Sequence, residues 1–357
     1  MKHTHVKNDL LLKGTVSMTT NHRIRLNSRP VGAPTAENYL LDEVPVPTPG
    51  DGQVLLRTLY LSLDPYMRGR MSDAKSYAKP VEVGDVMVGA TVSEVVESNA
   101  PEFAIGEIVL GYGGWQEYSV ESTGHLRKID PELAPISTHL GVLGMPGFTA
   151  YAGLLEIGQP KEGETVAVAA ATGPVGSVVG QIAKIKGATA VGIAGGPDKV
   201  AHLRELGFDV ALDHRTGNLR QELKEAVPQG IDVYFENVGG EVFDAVLPRL
   251  NTFARVPVCG LVANYNLTSL PEGPDRSGAL MGNILSKSLL VRGFIQTEFA
   301  ERLTSQFLTD MSGWLKDGKV RFREDIRPGL EKAPEYFNDL LTGGNFGKMV
   351  VAVGAES

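Results

Sequence analysis

A single cysteine, Cys259, stands among the 357 residues, so no disulfide can close within the chain and no Cys-based zinc site can be assembled. That usage suits a reducing, cytoplasmic compartment. Cys259 falls in the apolar run 256–260, where a small buried hydrophobe is a plainer reading than a nucleophile. No apolar run approaches the ~20 residues that span a bilayer. Cations are in the minority, with 34 Lys and Arg against 42 Asp and Glu, and the net charge of −8 argues against nucleic acid or an anionic membrane as the main partner. The opening stretch MKHTHVKNDLLLKGTVS has charges at both ends and too short an apolar run for a signal peptide. Residues 1–20 are expected to form a disordered extension.

Glycine, by contrast, is abundant at 42 residues, which suits a turn-rich β domain beside an α/β domain. From residue 21 to about 146, short β-like runs (53–59, 85–96, 108–112 and 116–120) are broken by Gly, Pro and Asp, a pattern that predicts a small barrel. Beyond it, strand-like runs at 165–170, 188–194, 208–212, 231–237, 253–259 and 289–295 alternate with helical ones at 176–186, 199–206, 219–227 and 241–247. That alternation predicts a Rossmann-type doubly wound parallel sheet. A helix over 304–316 and a last strand over 348–353 follow.

The most informative segment is TVAVAAATGPVGSVVGQ, residues 165–181. An apolar strand runs into the turn Ala171-Thr172-Gly173-Pro174-Val175-Gly176 and then a helical period, the opening of a dinucleotide-binding unit. The first glycine of the usual G-x-G-x-x-G is missing, and Ala171 takes its place. Gly173 would let the backbone approach a pyrophosphate, and Gly176 would let helix and strand pack closely. At the end of the next strand the acid that binds an NAD ribose is missing too: the chain reads Gly195-Gly196-Pro197-Asp198-Lys199. A 2′-phosphate would repel a carboxylate and favour Lys199, so NADP(H) is expected over NAD(H). Asp198 reads as the N-cap of the helix that follows, and an ordinary solvated lysine is the alternative for Lys199.

Several spaced motifs extend this picture: LSLDPYMRG (61–69), GMPGFTAY (144–151), the AAxGxVG turn, ENVGG (236–240), Cys259-Gly260 with Asn264-Tyr265-Asn266, and Asn345-Phe346-Gly347-Lys348. In that order they resemble the medium-chain dehydrogenase/reductase superfamily. Within it they are most similar to the zinc-free alkenal/one and prostaglandin reductase group, which includes bacterial NADPH-dependent curcumin reductases. The resemblance implies a GroES-like β-barrel substrate domain from residues 21–146 and 310–357, and a Rossmann NADP(H)-binding domain over 147–309. It places NADPH between them, with Ala171, Gly173, Pro174, Val175 and Gly176 at the pyrophosphate. Gly195 and Lys199 would lie at the 2′-phosphate, with Asn237, Cys259, Phe294 and Asn345 toward the nicotinamide half. His214 stands where many relatives carry Tyr; an imidazole can still bond a phosphate, and a surface His with no role is the alternative.

The residues at the metal positions of zinc-dependent relatives are Leu61-Ser62-Leu63-Asp64, no His-Glu pair stands near 83–90, and no four-Cys lobe exists. No metal is expected. A hydride donor without a Lewis acid suits an acceptor already electrophilic at carbon, an α,β-unsaturated ketone. Tyr265, after the fifth strand of the sheet, and Tyr66, by resemblance on the opposite wall, are the candidate hydrogen-bond donors to the enolate; packing residues with wet hydroxyls is their alternative. Met67, Met145 and Asn264 are candidate substrate-pocket residues, with core packing the alternative for the methionines, as for Phe294. Arg68 and Arg70 could draw an acidic substrate tail, but no other basic cluster supports this, and neutral, hydrophobic, aromatic enones such as curcumin and dihydrocurcumin are expected. Quinone reduction on the same fold and a non-catalytic NADPH-binding protein are the competing readings. The resemblance also implies a homodimer.

Overall fold

The computed structural model describes residues 20–271 and 273–354. Residues 1–19 of the expected extension lie outside the described residues, and Thr20 opens the first strand. In the first half, β1 (Thr20–Leu26) and β2 (Tyr39–Pro45) form an antiparallel ribbon. They are followed by β3 (Gln53–Ser62), the one-turn helix α1 (Met67–Arg70), β4 (Thr91–Ser98), β5 (Ile108–Gly111), β6 (Tyr118–Ser122) and β7 (Arg127–Lys128).

Helix α2 (Met145–Ala152) leads into the second half, where strands and helices alternate. The order is β8 (Thr165–Ala169), α3 (Gly176–Ile185), β9 (Thr189–Ala194), α4 (Pro197–Glu205), β10 (Val210–Asp213), α5 (Leu219–Ala226), β11 (Ile231–Phe235), α6 (Gly240–Val246), β12 (Leu250–Val258), α7 (Ser277–Lys287), β13 (Leu290–Gly293) and α8 (Thr297–Lys316). A return segment of β14 (Glu324–Pro328), α9 (Ala333–Leu341) and β15 (Lys348–Ala352) ends the chain.

The second half carries the Rossmann-type sheet, six parallel strands in the order β10-β9-β8-β11-β12-β13. The central strand β8 is buried at every residue because helices cover both faces. One core, beneath α2, α3 and α8, gathers Val178, Val179, Ile182, Phe307 and Met311; the other, beneath α5, α6 and α7, gathers Leu223, Val246 and Val256. Gly180 of α3 has a packing reason: a Cβ there would lie 1.9 Å from the Phe208 ring. The switch in strand order falls between β8 and β11, where ligands bind in such sheets.

The first half and the return share the GroES-like barrel, a seven-stranded sheet with β15 antiparallel to β3 and β6 also pairing with β3. Trp115 stacks on Tyr39 at 5.7 Å and meets the edge of Phe337, from α9, at 5.8 Å. The carboxyl-terminal segment therefore completes this core.

Two expected boundaries move. The 146/147 division cuts α2, and the 309/310 division cuts α8, a continuous helix whose Phe307 and Met311 are buried in the nucleotide half. A helix packed along one core cannot change domain midway, so we place the crossings before Met145 and after Lys316. The N-cap of α4 is Gly196, with Asp198 in the first turn. Among the described residues, no helix is long and apolar enough to cross a membrane.

Candidate active site

The turn after β8 is built around close backbone approach. Ala170 adopts φ +50°, Gly173 N donates to Ala170 O at 2.9 Å, and Ser177 N to Gly173 O at 3.0 Å. A Cβ on Gly176 would lie 2.5 Å from Ala170 O and 2.7 Å from the Ala171 Cα. The start of α3 can therefore sit this close to the strand end only without a side chain. Gly173, Pro174 and Val175 are partly exposed above the free N–H groups of the helix, an arrangement suited to a pyrophosphate. Ala171 is fully buried beneath the turn, its methyl packed in the core.

At the tips of β9 and β10 two cations and an imidazole converge. Lys199 reaches across α4 to donate to Gly343 O at 2.9 Å, and burial together with the nearby Arg215 lowers its pKa. A Cβ on Gly195 would lie 2.7 Å from Arg215 Nε and 2.8 Å from His214 Nε2, so both side chains fold over this glycine. His214 is held below its usual range by burial of the ring and by the Arg215 charge. The local acid, Asp213, faces away: its Oδ1 accepts from Gly196 N and Arg215 N, each at 2.9 Å, and those bonds lower its pKa. Two cations, Lys199 and Arg215, beside an imidazole that can donate or accept, fit a phosphate monoester. Arg215 escaped the sequence reading; its signal was a second basic residue at the tip of the third strand of the sheet.

A recess of about 750 Å³ starts at His214 and Glu241 and continues between α5, α6 and α7. It lies at this phosphate end, away from the two tyrosines.

The switch point holds a buried carboxylate. Glu236 is 2 % exposed; its Oε1 accepts from Val238 N (2.6 Å), Gly239 N (2.9 Å) and Tyr234 Oη (3.2 Å), while Oε2 has no partner. Burial raises its pKa against the pull of those donors. Cys259 N donates to Glu236 O at 2.9 Å, and burial and this carboxylate push the thiol up to about 12, so Cys259 stays protonated. Asn237 Nδ2 is engaged with Ala169 O at 2.9 Å, tying β11 to β8.

Tyr265 follows the loop after β12, half-buried, with its hydroxyl 3.0 Å from where a Cβ of Gly260 would stand. Burial is the largest cause of its raised pKa, and Cys259 and Tyr77 add to it. Tyr66 caps α1 on the barrel side, and burial and then the Asp64 charge raise its pKa. The Arg70 guanidinium sits 5.7 Å from the Tyr66 ring and 5.3 Å from that of Tyr77. Tyr77, 61 % exposed, thus shares the Arg70 guanidinium with Tyr66; an isolated Tyr in a polar loop gave no signal in the sequence.

Other expected residues are placed differently. Met67 is 0 % exposed among Leu61, Trp115 and Gly89, and is core rather than pocket. Phe294 is buried against Phe235 and Phe299, filling the space above Gly153, and cannot present a face to a nicotinamide. Both side chains pack in the cores, with almost no accessible surface. Asn264 is exposed, its Nδ2 3.9 Å from where a Cβ of Gly239 would stand. Asn345 Nδ2 donates within its own loop to Gly347 O at 2.8 Å. Met145 is half-buried at the start of α2, its carbonyl bonded by Thr149 Oγ1 at 2.8 Å.

Below Tyr66 lies a buried ion pair. Lys348 Nζ donates to Asp64 Oδ1 at 2.8 Å and Leu63 O at 2.7 Å, and Ser62 Oγ bonds the other Asp64 oxygen. The ammonium of β15 thus pairs with the Asp64 carboxylate. Among the described residues no group of three or more His, Cys, Asp or Glu could hold a metal ion.

Residues 22–129 match the family model described as "N-terminal domain of oxidoreductase", and residues 174–309 the model described as "Zinc-binding dehydrogenase". The chain is 58% identical to "NADPH-dependent curcumin reductase" of Escherichia coli over 337 residues, 94% of this chain and 98% of that one. It is 44% identical to "Prostaglandin reductase 1" of Rattus norvegicus over 324 residues, 90% of this chain and 95% of that one. Among solved structures, CurA from Vibrio vulnificus in complex with NADPH matches with a TM-score of 0.91 and 54% identity, over 94% of this chain and 100% of that one.

Proposed function

The chain belongs to the medium-chain dehydrogenase/reductase family, and from that premise we propose that it is an NADPH-dependent reductase of the C=C bond of α,β-unsaturated ketones, acting without a metal. The relatives named for curcumin, prostaglandin and 2-alkenal reduction support the reaction class. The observation that carries it is the placement of two phenols, Tyr66 and Tyr265, on loops of the two halves that an Arg68–Asn266 hydrogen bond joins, both kept protonated by burial.

The cradle at Gly173 to Gly176 would hold the pyrophosphate, and Lys199, Arg215 and His214 the 2′-phosphate. Bound there, the dihydronicotinamide supplies a hydride for the β-carbon of the enone. Tyr265 and Tyr66 donate hydrogen bonds to the substrate carbonyl oxygen, where negative charge develops as the enolate forms. Their raised pKa values keep both hydroxyls protonated through neutral pH, so each remains a donor. The α-carbon takes its proton from solvent or from one of these hydroxyls. Metal independence is supported by the Lys348–Asp64 pair, which occupies the Asp64 carboxylate. The aromatic walls at Tyr66, Tyr77 and Tyr265 favour a neutral, hydrophobic, aryl-bearing enone, with curcumin and dihydrocurcumin as representatives.

An anaerobic assay with NADPH and trans-4-phenyl-3-buten-2-one tests the proposal. One NADPH consumed per saturated ketone formed is the expected result. A semiquinone signal with quinones and no enone turnover would favour one-electron quinone reduction, and binding of NADPH with neither turnover would leave a binding protein.

We place the enzyme in the cytoplasm, consistent with its one protonated cysteine, and as a homodimer. The dimer reading is supported by β13, an edge strand with Leu290 and Val291 exposed, beside the exposed Met281 and Leu285 of α7. Sedimentation velocity giving a monomer would remove it.

A further inference from the structure

The two loops that carry Tyr66 and Tyr265 are joined directly. Arg68 lies two residues after Tyr66 and Asn266 one residue after Tyr265. Arg68 Nε donates to Asn266 Oδ1 at 3.1 Å and to Gly32 O at 3.3 Å, and its Nη2 donates to the same Gly32 O at 2.8 Å. The side chain is part of a residue only 6 % exposed, and burial lowers its pKa. A buried cation that faces neutral acceptors is costly unless those bonds are kept, so the contact holds the closed arrangement and resists partial opening. It also removes Arg68 from any role as receptor for an acidic substrate tail.

The contact crosses from the barrel half to the nucleotide half. A Cβ at Gly32 would lie 3.9 Å from both Asn266 O and Thr268 Cγ2, so the Gly32 loop, α1 and the loop after Tyr265 meet at one junction. Helix α1 is a single stiff turn, with Met67 N bonded to Asp64 O (3.0 Å), Arg68 N to Pro65 O (3.1 Å) and Gly69 N to Tyr66 O (3.0 Å). Tyr265 N bonds to Val262 O (3.3 Å) and Leu267 N to Asn264 O (3.1 Å), bracketing Asn266. Movement of either partner therefore carries its tyrosine with it.

We propose that the Arg68–Asn266 contact is a latch between the two halves that sets the separation of Tyr66 and Tyr265, which makes Arg68 and Asn266 positioning residues for the carbonyl of the hydride acceptor. The catalytic part of this inference rests on the enone reading above; the latch itself does not.

The test reads both. Spin labels at Val31→Cys and Leu270→Cys, positions 89% and 90% exposed on the two sides of the junction, report the distance across it by pulsed electron resonance. Native Cys259 is the one other thiol and is partly exposed, so mass spectrometry of the wild type after the same treatment shows whether it takes label. Asn266→Leu, at a half-exposed position that tolerates an apolar side chain, is expected to broaden that distance distribution, as is Arg68→Met, while Asn266→Asp keeps an acceptor and keeps it narrow. Asn266→Leu and Arg68→Met should each lower kcat for the enone roughly ten- to a hundredfold, the effect of losing a bond from a charged donor. NADPH affinity should stay within about twofold, and the double variant should be no slower than the slower single one. A wild-type distance distribution in Asn266→Leu overturns the latch, and a broadened distribution with unchanged kcat overturns the positioning role. A wild-type protein that reduces no enone, yet shows the narrow-to-broad change, refutes the enone reading and leaves the latch standing.

Discussion

A single methyl group at Gly195 tests the phosphate site without removing a charged side chain. The Cβ of Gly195→Ala would lie 2.7 Å from Arg215 Nε and 2.8 Å from His214 Nε2. Ordinary contact is about 3.5 Å, so both groups must retreat by roughly 0.7 Å. They are the far ends of exposed, flexible side chains, and Gly195 is not among the residues with positive φ, so fold stability should change by less than about 0.5 kcal/mol. Binding is different: each charged hydrogen bond to the 2′-phosphate contributes about 1.5–3 kcal/mol. Disturbing two of them without removing either should weaken NADPH about ten- to a hundredfold. NADH, which lacks the phosphate, should change by less than about threefold. Fluorescence titration with both nucleotides, beside a thermal melt, reads all three quantities. Gly176→Ala is the contrast: its Cβ would meet Ala170 O at 2.5 Å and the Ala171 Cα at 2.7 Å, backbone atoms that cannot swing aside. That variant should lose both nucleotides and melt several degrees lower, on the order of 2 °C per kcal/mol. Equal weakening of NADPH and NADH by Gly195→Ala would refute the reasoning.

Lys199→Ala and Arg215→Ala should each raise the NADPH Michaelis constant about tenfold and leave that for NADH nearly unchanged; parallel effects on the two nucleotides would remove these residues from the phosphate site. Tyr265→Phe should lower kcat by roughly a hundredfold with NADPH affinity within about twofold, and an unchanged kcat would take it out of the mechanism. Lys348→Met strands the buried Asp64 carboxylate and should cost about 3–5 kcal/mol in urea denaturation, most of it recovered by adding Asp64→Leu; a fully stable Lys348→Met would show that the pair carries no such weight. Because burial lifts Glu236 above its unfolded value, it contributes stability that is present at acid pH and lost as pH rises through the raised pKa. Glu236→Gln should therefore gain on the wild type between pH 4 and pH 8 in melts, and a constant difference would count against the raised pKa.

The parallel sheet was legible because β8, β9 and β11 are near-continuous apolar runs between glycine-marked turns, a pattern set by burial on both faces. Helices α2 and α7 were harder to see. Helix α2 is buried nearly all round and shows no polar stripe, while α7 has no buried residue at all and so carries little core-facing pattern. At the site, chemistry-bearing residue types could be named from their motifs, but not what their side chains would touch. Met67 and Phe294 sit beside site motifs, yet an apolar side chain reads the same in a wall or a core, and both proved to be core. Asn237 and Asn345 spend their amide N–H groups on Ala169 O and Gly347 O, local bonds that no spacing rule announces. The Arg68–Asn266 contact spans 198 positions, and nothing in either segment specifies the other.

The electrostatics of the two walls narrow the reaction more than the fold does. Burial raises the pKa of both Tyr66 and Tyr265, and the ionised Asp64 beneath Tyr66 adds to it. Neither phenol can therefore act readily as a base on an alcohol near neutral pH, but each is a good neutral donor to a growing oxyanion. Asp64 itself is engaged inside the barrel, by Lys348 on one oxygen and Ser62 on the other. A site that can lend hydrogen bonds but not remove a proton favours an acceptor whose carbonyl oxygen gathers charge while hydride enters elsewhere. In a conjugated enone the oxygen and the β-carbon are separated by three bonds, so the donors and the hydride need not compete for the same atoms.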